Sequence, residues 1–96
     1  MLQQVTITTP NAKRFKPLLR SALEREARLL EHSLTRTRQA LETFETRFGM
    51  KSADFERKFK AREIEESLDY LDWWMELEAL HHLEGQQQSL REAKLD

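Results

Sequence analysis

The chain has 96 residues, of which 34% are charged, two are glycine, two are proline and none is cysteine; the formal net charge is -1. That length favours one domain, the near-neutral balance argues against a basic coat for nucleic acid, and the lack of cysteine excludes disulfides, thiolate nucleophiles and cysteine-held metal centres. No apolar run approaches the roughly 18 residues of a membrane span and residues 1–15 lack a signal peptide's apolar stretch, so a cytoplasmic helical protein with no membrane contact is the expectation.

Residues 1–11 form an arm of different character from the rest. Val5, Thr6, Ile7, Thr8 and Thr9 are β-branched, which favours extended backbone, and Pro10 pushes Thr9 the same way. A lone strand is not stable. The arm is therefore a tail, a strand paired across a dimer, or a strand added to a partner's sheet, with Val5 and Ile7 as the selective side chains in the last case.

Residues 12–96 read as one helical domain, with helices over about 13–48, 52–60 and 68–91. Pro17 suits a first helical position, while Asn11 or Thr9 offers a cap further upstream. Leu23, Ala27, Leu30, Leu34, Thr37, Leu41, Phe44 and Phe48 are spaced alternately by four and three, a heptad seam with one polar member. Leu18, Leu19, Ala22 and Leu29 widen the N-terminal half of that face. Gly49 follows the last seam residue directly, where a left-handed cap needs a residue without Cβ, and Met50 is placed to pack back across it.

Ser52 opens the short second helix, with Asp54 in its first turn and Phe55 and Phe59 on one face. Residues 61–63 read equally as continued helix or a bend. Ser67 or Asp69 caps the third helix, whose apolar face uses Leu68, Leu71, Trp73, Met75, Leu77, Leu80 and Leu83. Gly85 and Gln86, Gln87 and Gln88 weaken that helix without ending it. Trp73 and Trp74 point about 100° apart, so one belongs in the core and the other at an edge or interface.

Charge is distributed unevenly. Residues 12–48 have a balance of +4, residues 49–60 of +2 and residues 61–96 of -7, with eight carboxylates and no basic residue between Glu63 and Glu84. Antiparallel packing of the third helix on the first explains this through opposite charges facing across the rim. An acidic surface for a basic partner explains it too, with Asp69, Asp72, Glu76 and Glu78 as the docking carboxylates.

Patterns for chemistry are sparse. Glu78 and His81 have the spacing of a di-iron helix motif, but a site of that kind needs a second such motif and further carboxylates. Glu42 and Glu45, with Glu66 and Asp69, imitate the paired carboxylates of all-helical magnesium-dependent nucleotide pyrophosphatases, provided their oxygens converge. The expectation is no catalytic residue, no metal and no cofactor. Lys13, Arg14, Lys16, Arg20, Arg25 and Arg28 follow the β-branched arm as in a ribbon-helix DNA-binding domain. The unbroken first helix departs from that pattern, so nucleic acid alone is not the expected partner.

Residues 44–59, FETRFGMKSADFERKF, and 68–83, LDYLDWWMELEALHHL, resemble a family of short, mostly uncharacterised bacterial proteins common in cyanobacteria. In that family a long helix ends in an aromatic, Gly, Met, Ser/Thr pattern, here Phe48, Gly49, Met50 and Ser52. A short helix follows, matched by Phe55 and Phe59, then a Leu/Phe-Asp-x-x-Glu/Asp-Trp segment, matched by Leu68, Asp69, Asp72 and Trp73. Many members look like the antitoxin partner of a small toxin, and that is the role the resemblance implies. Where the family has a Gly-Glu-Leu turn, this chain has Arg62, Glu63 and Ile64.

The combined expectation is an all-α fold: a long antiparallel helical hairpin with a short connecting helix, dimerising into a four-helix bundle. Leu23, Leu30, Leu34, Leu41, Phe44, Trp73 and Leu77 make the core or dimer seam. The leading function is a non-enzymatic interaction module that pairs with itself and with a small basic protein such as a toxin. The alternatives are a structural homo-oligomer and a magnesium-dependent pyrophosphatase-like enzyme.

Overall fold

The computed structural model describes residues 1–95 and contains three helices: α1 (Ala12–Phe48), α2 (Ser52–Lys60) and α3 (Leu68–Glu92). α1 and α3 lie antiparallel as a hairpin, and α2 sits across its closed end. Residues 1–9 have no regular structure, and no strand is present among the described residues.

Each helix end has a local cause. Asn11 caps α1 by accepting the Arg14 N–H at 3.1 Å. Pro17 is therefore not the first helical residue but lies inside the second turn. There it removes the hydrogen bond to the carbonyl of Lys13, an exposed residue of the first turn. Gly49 ends α1 at φ 61°, and the Met50 N–H reaches back to the Glu45 carbonyl at 3.2 Å, the wrap-around bond of a left-handed cap. Arg62 takes the same role after α2 at φ 57°, with the Glu63 N–H bonded to the Lys58 carbonyl at 2.9 Å. Residues 61–63 are thus a bend. Ser67, not Asp69, caps α3, accepting the Tyr70 N–H at 3.1 Å.

The core sits at the closed end. Leu30, Leu34, Thr37 and Leu41 of α1 are buried together with Phe55 of α2 and Trp73 and Leu77 of α3. Trp73 is wholly buried; Phe55 lies parallel to it with ring centroids 4.0 Å apart, and Phe44 parallel at 5.6 Å. Phe48 and Tyr70 pack beside them at 5.1 Å. Truncating a buried ring of this kind typically costs about 3–5 kcal/mol.

Ser52 is the first residue of α2 and points inward. Its hydroxyl accepts the Trp73 indole N–H at 3.0 Å, and its own N–H donates to the Glu45 carboxylate at 2.8 Å. The N-terminus of α2 is therefore capped by a side chain from α1, since Lys51 supplies no cap.

Candidate functional site

α1 outruns its partner helix. Three cross-links set the register of the hairpin: Arg47 to Asp69, Arg38 to Glu84 at 3.9 Å, and Gln87 to Glu31. Extending that register places Glu92, the last residue of α3, beside α1 near residue 26. About fourteen residues of α1, or roughly 20 Å, project beyond it. Leu30 is accordingly the most N-terminal buried residue of α1. Upstream of it Leu18 is 64% exposed, Leu23 38% and Leu29 54%.

The seam residues thus separate into two groups. Leu30, Leu34, Leu41, Trp73 and Leu77 are buried and Phe44 is half-buried, all in the intramolecular core, while Leu23 lies past the end of α3 in the open. Val5 and Ile7 are exposed on the arm.

The carboxylates also divide. Asp69 is held by both guanidinium nitrogens of Arg47 at 3.0 and 3.3 Å, so it ties α3 to α1. Asp72 and Glu78 are exposed and Glu76 half-buried, and none of the three has an ion-pair partner among the described residues.

The spacings that imitate catalytic motifs serve other ends. His81 turns to Glu56 of α2, Nε2 to Oε2 at 2.9 Å, instead of joining Glu78 in a ligand pair. That hydrogen bond holds the Glu56 carboxyl below the usual range, with help from Lys60 at 3.2 Å. Glu45 is also held low, chiefly by the Ser52 backbone N–H. Glu45 and Asp69 are each engaged by a donor, and no three His, Asp or Glu side chains gather as for a metal ion among the described residues. Beside Gly49 there is only a shallow open depression lined by Glu42, Glu45, Thr46, Met50 and Lys51.

Two features escape the heptad pattern. One is a second line of apolar and small side chains on α1, Leu18, Ala22, Leu29, Ser33 and Ala40, spaced 4, 7, 4 and 7. An 11-residue repeat of this sort stays near one face of a helix, drifting about 20° per repeat in the sense opposite to a heptad, and was legible in the spacing. The other is the set of Leu68, Leu71 and Met75, which are 82%, 38% and 66% exposed on α3. The sequence face that includes them drifts, and of it only Trp73 and Leu77 are buried in the core, with Leu80 packed against them.

Comparison of the chain with protein-family models, with curated proteins and with solved structures finds no match. No helix among the described residues is long and apolar enough to cross a membrane.

Proposed function

We propose that the protein is a non-enzymatic interaction module that works through uncovered helical faces. It pairs with itself to complete a four-helix bundle and docks a small basic protein, in the manner of an antitoxin holding a toxin. The observation that carries this reading is the unfinished apolar face of α1, where Leu18 and Leu23 continue past the cover that α3 provides and Leu29, at the level of its last turn, stays 54% exposed.

Accessible area supports it. The chain exposes 8184 Å² at 11.5 kDa, whereas a compact monomer of that mass exposes about 5,800 Å². The exposed arm accounts for part of that excess, and the uncovered stretch of α1 contributes to it as well. A standard interface covers about 800 Å² per partner. The radius of gyration, 18.7 Å, against about 12.5 Å for a compact domain of this length, tells the same story.

The unpaired Asp72, Glu76 and Glu78 suit a basic partner, and the exposed Val5 and Ile7 suit addition of the arm to a sheet edge. The test is surface-immobilised binding kinetics with the protein encoded by the adjacent gene, at low and physiological salt. Deleting residues 1–9 is expected to weaken binding at least about tenfold, roughly 1.4 kcal/mol. Neutralising Asp72 and Glu76 is expected mainly to slow association. No binding by the intact chain, or unchanged kinetics in both variants, removes the hetero-partner from the reading.

A further inference from the structure

We infer that the outer face of α1 is a docking surface for double-stranded DNA, which it holds by the phosphate backbone through a row of arginines. The inference goes beyond the interaction-module reading and uses none of its residues.

Helical spacing builds the row. Arg14, Arg25, Arg36 and Arg47 follow one another at intervals of 11 residues, which brings each back to nearly the same side of the helix with a drift of about 20°. The buried Leu30, Leu34 and Leu41 lie about half a turn away. The row therefore points outward, on the side of α1 opposite α3. α2 meets α1 at Glu45, beyond the first three members of the row.

The surroundings of the row select its ligand. A sector about 120° wide contains it along the whole of α1, and that sector has no aspartate, glutamate or lysine. Arg14, Arg25 and Arg36 are exposed, have no carboxylate three or four residues away, and have no ion-pair partner among the described residues. Arg28 stands at the edge of the sector beside Glu24 and Glu31, and Arg47 already holds Asp69. The open set is thus Arg14, Arg25 and Arg36. On α3, Asp72 and Glu76 lie level with the stretch of α1 near Arg47, so the acidic end of the molecule is remote from these three. The near-neutral charge of the whole chain hides this distribution: residues 12–41 carry eight basic and three acidic side chains.

Guanidinium forks without lysine suit phosphate oxygens, which they bind in a bidentate manner. Arg14 and Arg36 are 22 residues apart, about 33 Å along the helix, and one turn of B-DNA is about 34 Å. With α1 laid along the duplex, these two meet the same strand one turn apart and Arg25 reaches the strand that passes between. The sector has no aromatic ring, so unpaired bases find nothing to stack on and a single strand is disfavoured. A bilayer would take the apolar side of the projection instead, Phe15, Leu19 and Leu23, about a third of a turn from the row.

The test is fluorescence anisotropy of a labelled two-turn DNA duplex with the full chain, between about 50 and 200 mM salt. Binding at the lower salt is expected, with a log–log salt slope of about -3 per chain. Arg25→Gln combined with Arg36→Gln is expected to weaken binding at least about tenfold and to make the slope shallower by about two. Lys16→Gln combined with Arg20→Gln removes the same charge about half a turn away and is expected to change affinity by less than about threefold. Circular dichroism is expected to show unchanged helicity in both variants, since all four residues are exposed.

No binding at the lower salt overturns the inference. Equal losses in the two double variants overturn it as well, because net charge and not the row would then hold the DNA. So does tighter binding of single-stranded DNA or of an RNA duplex, or sedimentation with anionic phospholipid vesicles by a chain that ignores the DNA duplex.

Discussion

Arg62 occupies a backbone position, φ 57°, that an L side chain enters at a cost of roughly 1 kcal/mol and glycine enters freely. The cap nevertheless forms, because the Glu63 N–H finds the Lys58 carbonyl at 2.9 Å. Arg62→Gly is expected to raise stability by about 0.5–1 kcal/mol, seen as a higher urea midpoint with an unchanged slope. A lower midpoint would mean that the arginine side chain stabilises the bend more than its backbone strains it.

Glu45 shows a second residue-level effect. The carboxyls of Glu45 and Glu56 are held below the ordinary value of 4.5, the first chiefly by the Ser52 N–H and the second chiefly by His81. A depressed folded-state value stabilises the fold above the unfolded value and loses that contribution as pH falls through the folded one. Stability from these two groups is therefore expected to hold down to about pH 4.5 and to decline below it. Glu45→Gln, which keeps an acceptor but no charge, is expected to cost about 1 kcal/mol at neutral pH and to flatten the acid decline. Urea unfolding of both proteins at pH 7 and near pH 3 measures both effects; parallel curves would rule the cap out as their source.

At the scale of elements, α2 is held by a few side chains. Nine residues are too few to remain helical alone in water. Phe55 against Trp73, Ser52 between Glu45 and Trp73, and Glu56 against His81 keep α2 on the hairpin. Phe55→Ala is expected to cost about 3–5 kcal/mol and to strip hydrogen-exchange protection from residues 52–60 before the α1–α3 contacts open. Retained protection in α2 would show that the polar contacts suffice. Ser52→Ala leaves the buried Trp73 N–H without an acceptor, and a loss of about 1–3 kcal/mol is expected from denaturant titration. A neutral result would mean that the indole finds another partner.

At the scale of the whole molecule, shape decides what is stable. A rod of 57 × 28 × 18 Å cannot bury as large a fraction of its surface as a sphere of equal mass. Association should supply part of the stability, so the melting temperature is expected to rise with protein concentration. Calorimetry over a hundredfold dilution checks this, and a constant value would show that the hairpin stands alone. The arm lies outside this balance: Val5 is 93% exposed and α1 is capped from Asn11. Deleting residues 1–9 is expected to leave helicity and the melting temperature unchanged by circular dichroism. Unfolding on deletion would mean that the arm pairs within a dimer.

Some of this was legible in the residues alone. The spacing of Leu30, Leu34 and Leu41 and the glycine after Phe48 specify the first helix and its end, because helical period and capping act within a few residues. Local rules could not choose Ser67 over Asp69 as the cap, make Glu45 the cap of α2, or bend the chain at Arg62, since each depends on the segment packed alongside. Register decided the rest. Heptad spacing marks Leu23 and Leu34 alike as apolar seam, but α3 is shorter than α1, so one is exposed and the other buried. Burial depends on what lies opposite, and only the tertiary structure contains that information.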